Sequence, residues 1–275
     1  MVMTLDIEII CIGNELLIGK VKDTNAHYLV KQTTQIGANV KRVTVIQDII
    51  EEIAKSIVEA IARKPRFIIT TGGLGPTFDD KTLQGIAKAL NCKLEVNSKA
   101  LAMVKQKSIE YAKKLGLSTE IEMTPPRVKM ATLPEKTEVV NNPIGTAPGV
   151  RVDVQSTILF ALPGVPVEME AIFEETIAPL IKQAVGHDVF CERSIFADNI
   201  VESRLAPLID KVMSDNVGVY IKSYPMRIEN KPHVELHLTI VSNQEQMPNE
   251  KLAKTAKELV RLIEANGGVP SESKN

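Results

Sequence analysis

The segment that most narrows the possible folds is a short apolar run that breaks straight into glycine. Arg66-Phe67-Ile68-Ile69-Thr70 reads as a buried strand, and Thr71-Gly72-Gly73-Leu74-Gly75-Pro76 follows without a spacer. A helical pattern then starts near Asp79 or Asp80 and continues through Leu83, Ile86, Ala87 and Leu90. The same rhythm precedes it. Residues 7–12 form an apolar run closed by Gly13-Asn14, and Asp23 is placed to cap a helix through Leu29 and Val30. Residues 40–46 alternate as a second strand, and Ile49, Ile53, Ile57 and Ile61 recur at helical spacing. Strands that alternate with helices in this order predict an α/β fold, with a mostly parallel sheet and helices on both faces.

Further along, the pattern predicts a helix over 99–115, capped by Ser98 and stopped by Gly116. A proline-containing stretch, 124–149, follows it. A strand over 156–162 ends in Pro163-Gly164-Val165-Pro166, and a helix to about residue 182 closes a first domain, 1–185. Gly186-His187-Asp188 marks the boundary. Beyond it a β-α-β-β-α order predicts a small α+β subdomain, 186–266. Residues 267–275 are rich in Gly, Ser and Pro, and are expected to be a disordered tail.

Composition excludes several function classes. The 275 residues carry a formal net charge of −1, so no basic field draws in nucleic acid. Cys11, Cys92 and Cys191 are odd in number and far apart, which suits reduced thiols in a cytoplasmic protein. No apolar stretch reaches the ~18 residues of a membrane span, and the N-terminus lacks the layout of a secretory signal.

The chemistry-bearing residues converge on one place. Gly72, Gly73 and Gly75 let an oxyanion approach main-chain N–H groups, and a helix N-terminus adds partial positive charge. A tight strand-to-helix turn would also use glycine here. Capping explains one of the pair Asp79 and Asp80. A second carboxylate beside a phosphate calls for a cation, and Mg²⁺ is commonly held by one or two carboxylates plus phosphate oxygens. Gly13-Asn14-Glu15 follows the first strand, Gln47-Asp48 the second, and Pro163-Gly164 the strand over 156–162. A parallel sheet brings all these strand ends to one edge, where open α/β sheets bind ligands. Four carboxylates at that edge, Glu15, Asp48, Asp79 and Asp80, need cations or a hydrogen-bond network. His233 and His237 sit roughly 13 Å apart along one strand, too far to share a metal, and cross-strand packing accounts for them. Arg127 and Lys129 are candidate phosphate contacts, although isolated basic residues are more often solvated surface.

The motifs together resemble a known family. Gly13-Asn14-Glu15-Leu16-Leu17-Ile18-Gly19, Asp23-Thr24-Asn25 and Thr71 to Thr82 look like the N-terminal domain of CinA proteins. Asn142-Pro143-Ile144-Gly145-Thr146-Ala147-Pro148-Gly149 and Pro163-Gly164-Val165-Pro166-Val167-Glu168-Met169 follow in the same order. The glycine loop is shared with the wider molybdopterin-binding superfamily of MoaB/Mog type, in which an Asp matching Asp80 lies in the active site. The second domain resembles the KH-like subdomain of CinA proteins, but carries no basic Gly-x-x-Gly loop. The resemblance implies metal-dependent hydrolysis of ADP-ribose or a related dinucleotide such as FAD, with Mg²⁺, Mn²⁺ or Co²⁺. It also implies a homo-oligomer and no C-terminal deamidase domain in this chain. For such a reaction the glycine loop, Gly13-Asn14 and the Gly145–Gly149 turn are expected to hold the phosphates, Asp80 to hold a metal ion or orient the attacking water, and Asp79, Asp48 and Glu15 to act as supporting carboxylates, with Asp48 as the second metal-holding group. Two other roles use the same loop: pterin binding or adenylylation in molybdenum-cofactor synthesis, and nucleotide binding without turnover.

Overall fold

The computed structural model describes residues 5–186, 189–228, 231–242 and 247–272. They divide into two compact units near residue 185.

The first unit begins with β1, Asp6–Ile12, whose side chains from Ile7 onward are all buried. A single turn, α1 (Asn14–Leu17), and a longer helix, α2 (Thr24–Gln35), lead to β2, Asn39–Ile46. Then come α3 (Ile50–Ala62), β3 (Phe67–Thr71) and α4 (Thr82–Ala89). Next are β4 (Leu94–Val96), α5 (Ser98–Lys114), α6 (Pro125–Met130), β5 (Thr132–Pro134) and β6 (Glu138–Val140). The unit ends with β7 (Gly149–Val154), β8 (Thr157–Leu162), α7 (Pro166–Ile172), a π-helical turn (Phe173–Ile177) and α8 (Ala178–Val185).

The main sheet runs β2-β1-β3-β8-β7-β6. The first four strands are parallel, while β7 pairs antiparallel with both β8 and β6. This is why β1, β3 and β8 read as continuous apolar runs. A parallel strand covered by helices on both faces has no wet side to mark with polar residues. Ile10, Ile12, Ile68, Leu159 and Ala161 face a core shared with Ile53 and Ile57 of α3, Ile86 of α4 and Val104 of α5. Alternate residues take the other face, where α2 reaches Thr71 and Phe67 stacks on Phe160. Glu8 is the one charged residue within the buried run of β1, and Arg63 meets it with two bonds of 2.7 and 2.6 Å.

Two expectations are corrected here. The helix after the glycine loop starts at Thr82 rather than at Asp79 or Asp80, and no side chain caps it. The helix at 98–114 is capped by Asn97, whose Oδ1 accepts from Ala100 N at 3.0 Å, and not by Ser98. The stretch 124–149 also holds more order than its prolines suggest, with α6, β5 and β6 inside it and β7 opening at Gly149.

The second unit is a four-stranded antiparallel sheet in the order β10-β11-β9-β12. Its elements are β9 (Val189–Asp198), α9 (Glu202–Asp215), β10 (Val219–Ile228), β11 (Lys231–Ser242), α10 (Met247–Ala265) and β12 (Val269–Glu272). Ile195, Leu236 and Leu238 of the sheet share a core with Leu205 of α9 and Leu259 of α10. The tail expected to be disordered from residue 267 instead contains β12, paired with β9 from Val269↔Asp198 to Glu272↔Ile195. Residues 273–275 lie outside the described residues. His233 and His237 take cross-strand partners, Asp198 and Glu192. Among the described residues no helix is long and apolar enough to cross a membrane.

Candidate functional site

The strand order places β2 on one side of β1 and β3 on the other. The crevice between the carboxyl ends of β1 and β3 is therefore the point where the winding reverses, the usual ligand position in an open α/β sheet. A cleft of about 870 Å³ opens there, a volume within the range of small-molecule sites.

The glycine loop forms its floor. Gly72 has φ +103°, and a Cβ on it would lie 2.1 Å from the carbonyl oxygen of Ile12. Only glycine lets the end of β3 lie this close to the end of β1. The loop is fastened at several points. Gly72 N donates to Leu162 O at 3.0 Å, and Thr82 Oγ1 donates to Gly72 O at 2.8 Å. Lys129 Nζ, from α6, donates to the carbonyls of Gly75, Thr77 and Asp80. That lysine is therefore a clamp on the loop and not a surface charge. Burial pushes its pKa down, against the pull of Asp80 and Asp79.

The aspartate pair belongs to the loop itself. Asp80 Oδ2 accepts from Thr77 N at 2.8 Å and from Thr77 Oγ1, closing the turn, and its Oδ1 accepts no hydrogen bond among the described residues. Thr77 Oγ1 also bonds to Asp79, which holds that exposed carboxylate below the usual range. Asp48, at the end of β2, accepts from Asn14 N at 2.8 Å. Its pKa is nonetheless raised, chiefly by burial and further by the charges of Glu15, Asp79 and Asp80.

The remaining wall comes from β8 and the loop before β7. Asn25 Nδ2 donates to Thr71 Oγ1 and to Gly164 O, both at 2.9 Å, which ties α2 to the ends of β3 and β8. Asn142 Oδ1 accepts from Gly145 N at 2.7 Å, and Asn142 Nδ2 donates to Glu168 at 2.7 Å. Thr146, Ala147, Pro163, Gly164 and Glu168 line the cleft, as do Gly13, Glu15, Asp48, Asp79, Asp80 and the whole run from Thr71 to Pro76, Leu74 included. Three anticipated residues do not. Asn14 acts one layer back through its N–H to Asp48. Gly145 is held under Glu168, where a Cβ would lie 1.9 Å from the carboxylate. Gly149 is not part of a phosphate turn. It opens β7, paired with Val140, and its missing side chain makes room for that neighbour.

Of a further stretch of wall, sequence reasoning named only Arg127. Ser108 and Tyr111 of α5, with Thr124, Pro126 and Arg127 at the start of α6, also line the cleft. No motif marks the other four. The available signal was an aromatic side chain at position 111 on the otherwise wet face of a lysine-rich helix.

Six of the lining residues are acidic: Glu15, Asp23, Asp48, Asp79, Asp80 and Glu168. Lys22 and Arg127 are the basic ones. Among the described residues no three His, Cys, Asp or Glu side chains converge as a ready-made metal cage. The donor set instead fits a cation that arrives with its own phosphate oxygens, held by one or two of these carboxylates. Fold and cleft together define a ligand-site α/β domain of the molybdopterin-binding type.

Comparison with known proteins agrees with this class. A family model described as "Probable molybdopterin binding domain" matches residues 8–183. A protein of Sulfurisphaera tokodaii is 39% identical over 97% of this chain and 98% of its own length. One of Pyrobaculum calidifontis is 41% identical over 94% of this chain and 95% of its own. The crystal structure of CinA from Thermoplasma acidophilum, a protein described as of unknown function, is similar with 35% identity and a TM-score of 0.56. It covers 64% of this chain, and the match spans 98% of that one. The chain belongs to the molybdopterin-binding domain family, as a CinA-type member.

Proposed function

We propose that this chain is a metal-dependent pyrophosphatase that cleaves ADP-ribose or a related dinucleotide such as FAD. The observation that carries the reading is the pairing of a glycine-floored crevice with four carboxylates on one edge. Backbone N–H groups around Gly72 to Gly75 suit the non-bridging phosphate oxygens. Asp48, Asp79, Asp80 and Glu15 would repel such a ligand alone, so the acidic edge suits a phosphate that carries a cation. A divalent metal ion, when bound, offsets the charge that builds up on the phosphates as the bond breaks. Asp80, through its free Oδ1, and Asp48 would hold it. Thr77 and Lys129 fix the loop so that Asp80 keeps its position.

The chemistry balances simply. A water oxygen bonds to one phosphorus, the bridging P–O bond breaks, and the bridging oxygen leaves with the other phosphate. The water's proton passes to a carboxylate of the edge that does not hold the metal. ADP-ribose would give AMP and ribose 5-phosphate.

The test is product analysis by ³¹P NMR with ADP-ribose and FAD in Mg²⁺, Mn²⁺ or Co²⁺. Wild type is expected to release AMP, and Asp80→Ala to lose about 100-fold or more in kcat. Equal rates in the two proteins would sink the role of Asp80. No product from wild type with any metal would leave pterin binding, or nucleotide binding without turnover, as the function of the cleft.

A further inference from the structure

We infer that Tyr111 is a stacking platform for the nucleobase of the bound ligand, so that α5 and the start of α6 build a base subsite in the same cleft as the phosphate-holding edge. The inference rests on the nucleotide reading above and extends it to the part of the cleft that the reading leaves unexplained.

The cleft has two chemically different walls. One is glycine and carboxylate, from the ends of β1, β2, β3 and β8. The other comes from α5 and α6, and holds Tyr111, Pro126, Thr124 and the guanidinium of Arg127, with no carboxylate among the lining residues of those two helices. Tyr111 is the one aromatic residue lining the cleft. Its relative exposure is 63%, and among the described residues its ring has no aromatic partner and its hydroxyl no hydrogen bond. The chain is sparing with aromatics, at 4% with no Trp. Two aromatic pairs are spent on packing, Phe67 on Phe160 and Tyr28 edge-on to Phe173, and the exposed rings of Phe78, Tyr220 and Tyr224 do not line the cleft.

The helix sets the position of Tyr111. Residues 108 and 111 share one face of α5, and both line the cleft. Ser108 and Ala112 are buried, and Ser108 Oγ donates to Val104 O at 2.8 Å, so α5 is held by packing while the ring at 111 stays exposed. Arg127 Nη1 donates to Glu122 O at 2.7 Å, which fixes that guanidinium. Tyr111 and the glycine loop line one cleft, so a flat heteroaromatic ring with a phosphate tail would set its ring on Tyr111 and its phosphates at the loop. Because every base has a π-face, such a platform gives affinity without strict choice of base.

The experiment is calorimetric titration of AMP, ribose 5-phosphate and biopterin into wild type, Tyr111→Ala and Tyr111→Phe, each with MgCl₂. AMP and ribose 5-phosphate are the two halves of ADP-ribose, and they differ in the base. Tyr111→Ala is expected to weaken AMP about tenfold or more and to leave ribose 5-phosphate unchanged, while Tyr111→Phe keeps wild-type affinity for both. An unchanged melting curve for Tyr111→Ala is expected because the ring is exposed. Equal loss for both ligands, no loss for AMP, or no AMP binding by wild type would overturn the inference. Tighter binding of biopterin than AMP would overturn the assignment to a nucleobase. If wild type hydrolyses nothing, yet AMP binding still depends on Tyr111, the base subsite stands and the pyrophosphatase reading falls.

Discussion

A single carboxylate, Asp48, carries the electrostatic tension of the cleft. Burial and the charges of Glu15, Asp79 and Asp80 raise its pKa above the ordinary aspartate value. An aspartate raised in the folded state binds protons more tightly there than in the unfolded chain. Its charged form is therefore destabilising above the folded pKa, and that penalty fades as pH falls through the folded pKa. Asp48→Asn removes the charge and keeps an acceptor for Asn14 N. In the metal-free protein it should raise Tm by about 1–2 °C at pH 7, a modest gain because solvent screens a partly exposed group. Well below the unfolded pKa, where the carboxyl is protonated in both states, the two proteins should melt together. Melting curves at pH 7 and in the acid range check this, and a Tm gap that widens on acidification would contradict it. MgCl₂ should stabilise wild type more than the variant. Some of this was legible in the sequence, because strand ends in a parallel sheet must meet at one edge. The use of Asp80 was not. Aspartate favours both helix caps and tight turns, and here Asp80 turns back on Thr77 while the helix waits until Thr82.

At the level of elements, legibility followed burial. The strands β1, β3 and β8 show as unbroken apolar runs because both of their faces are covered. β12 did not show, because Val269 to Glu272 has turn-like composition and gains its structure from pairing with β9 about 70 residues earlier in the chain. The wall of α5 and α6 was hidden for a related reason, since its residues approach the strand ends only through tertiary packing. Helix α4 shows packing overruling propensity. Gly85 lies inside it, where alanine would be favoured by about 1 kcal/mol. A Cβ at that position would sit 2.2 Å from Cγ2 of Ile53, a residue of α3 with no exposed surface. The helices are close because the glycine has no side chain. Gly85→Ala should therefore destabilise the protein by about 1–3 kcal/mol despite its better helix propensity. Urea unfolding would show a lower midpoint with the slope unchanged. A stabilised variant would mean that α3 and α4 can separate at little cost.

Among the described residues, the main core of each unit shares no residue with the other. One surrounds Ile10, Ile68 and Leu159, and the other surrounds Ile195, Leu236 and Leu259. Every residue lining the cleft belongs to the first unit. A ligand that binds only the folded first unit stabilises that unit by mass action, by about 2.7 kcal/mol at a hundred times its Kd. For a unit of this size that corresponds to a shift of about 5–10 °C. Scanning calorimetry with AMP and MgCl₂ should thus move one transition and leave the other in place. Leu236→Ala should do the reverse. Leu236 is fully buried in the second core, and its truncation costs about 2–5 kcal/mol there. The ligand-insensitive transition should fall, while the affinity for AMP stays at its wild-type value. If AMP and Leu236→Ala instead move a single shared transition, the two cores unfold as one cooperative body, and the second unit contributes to the stability of the cleft.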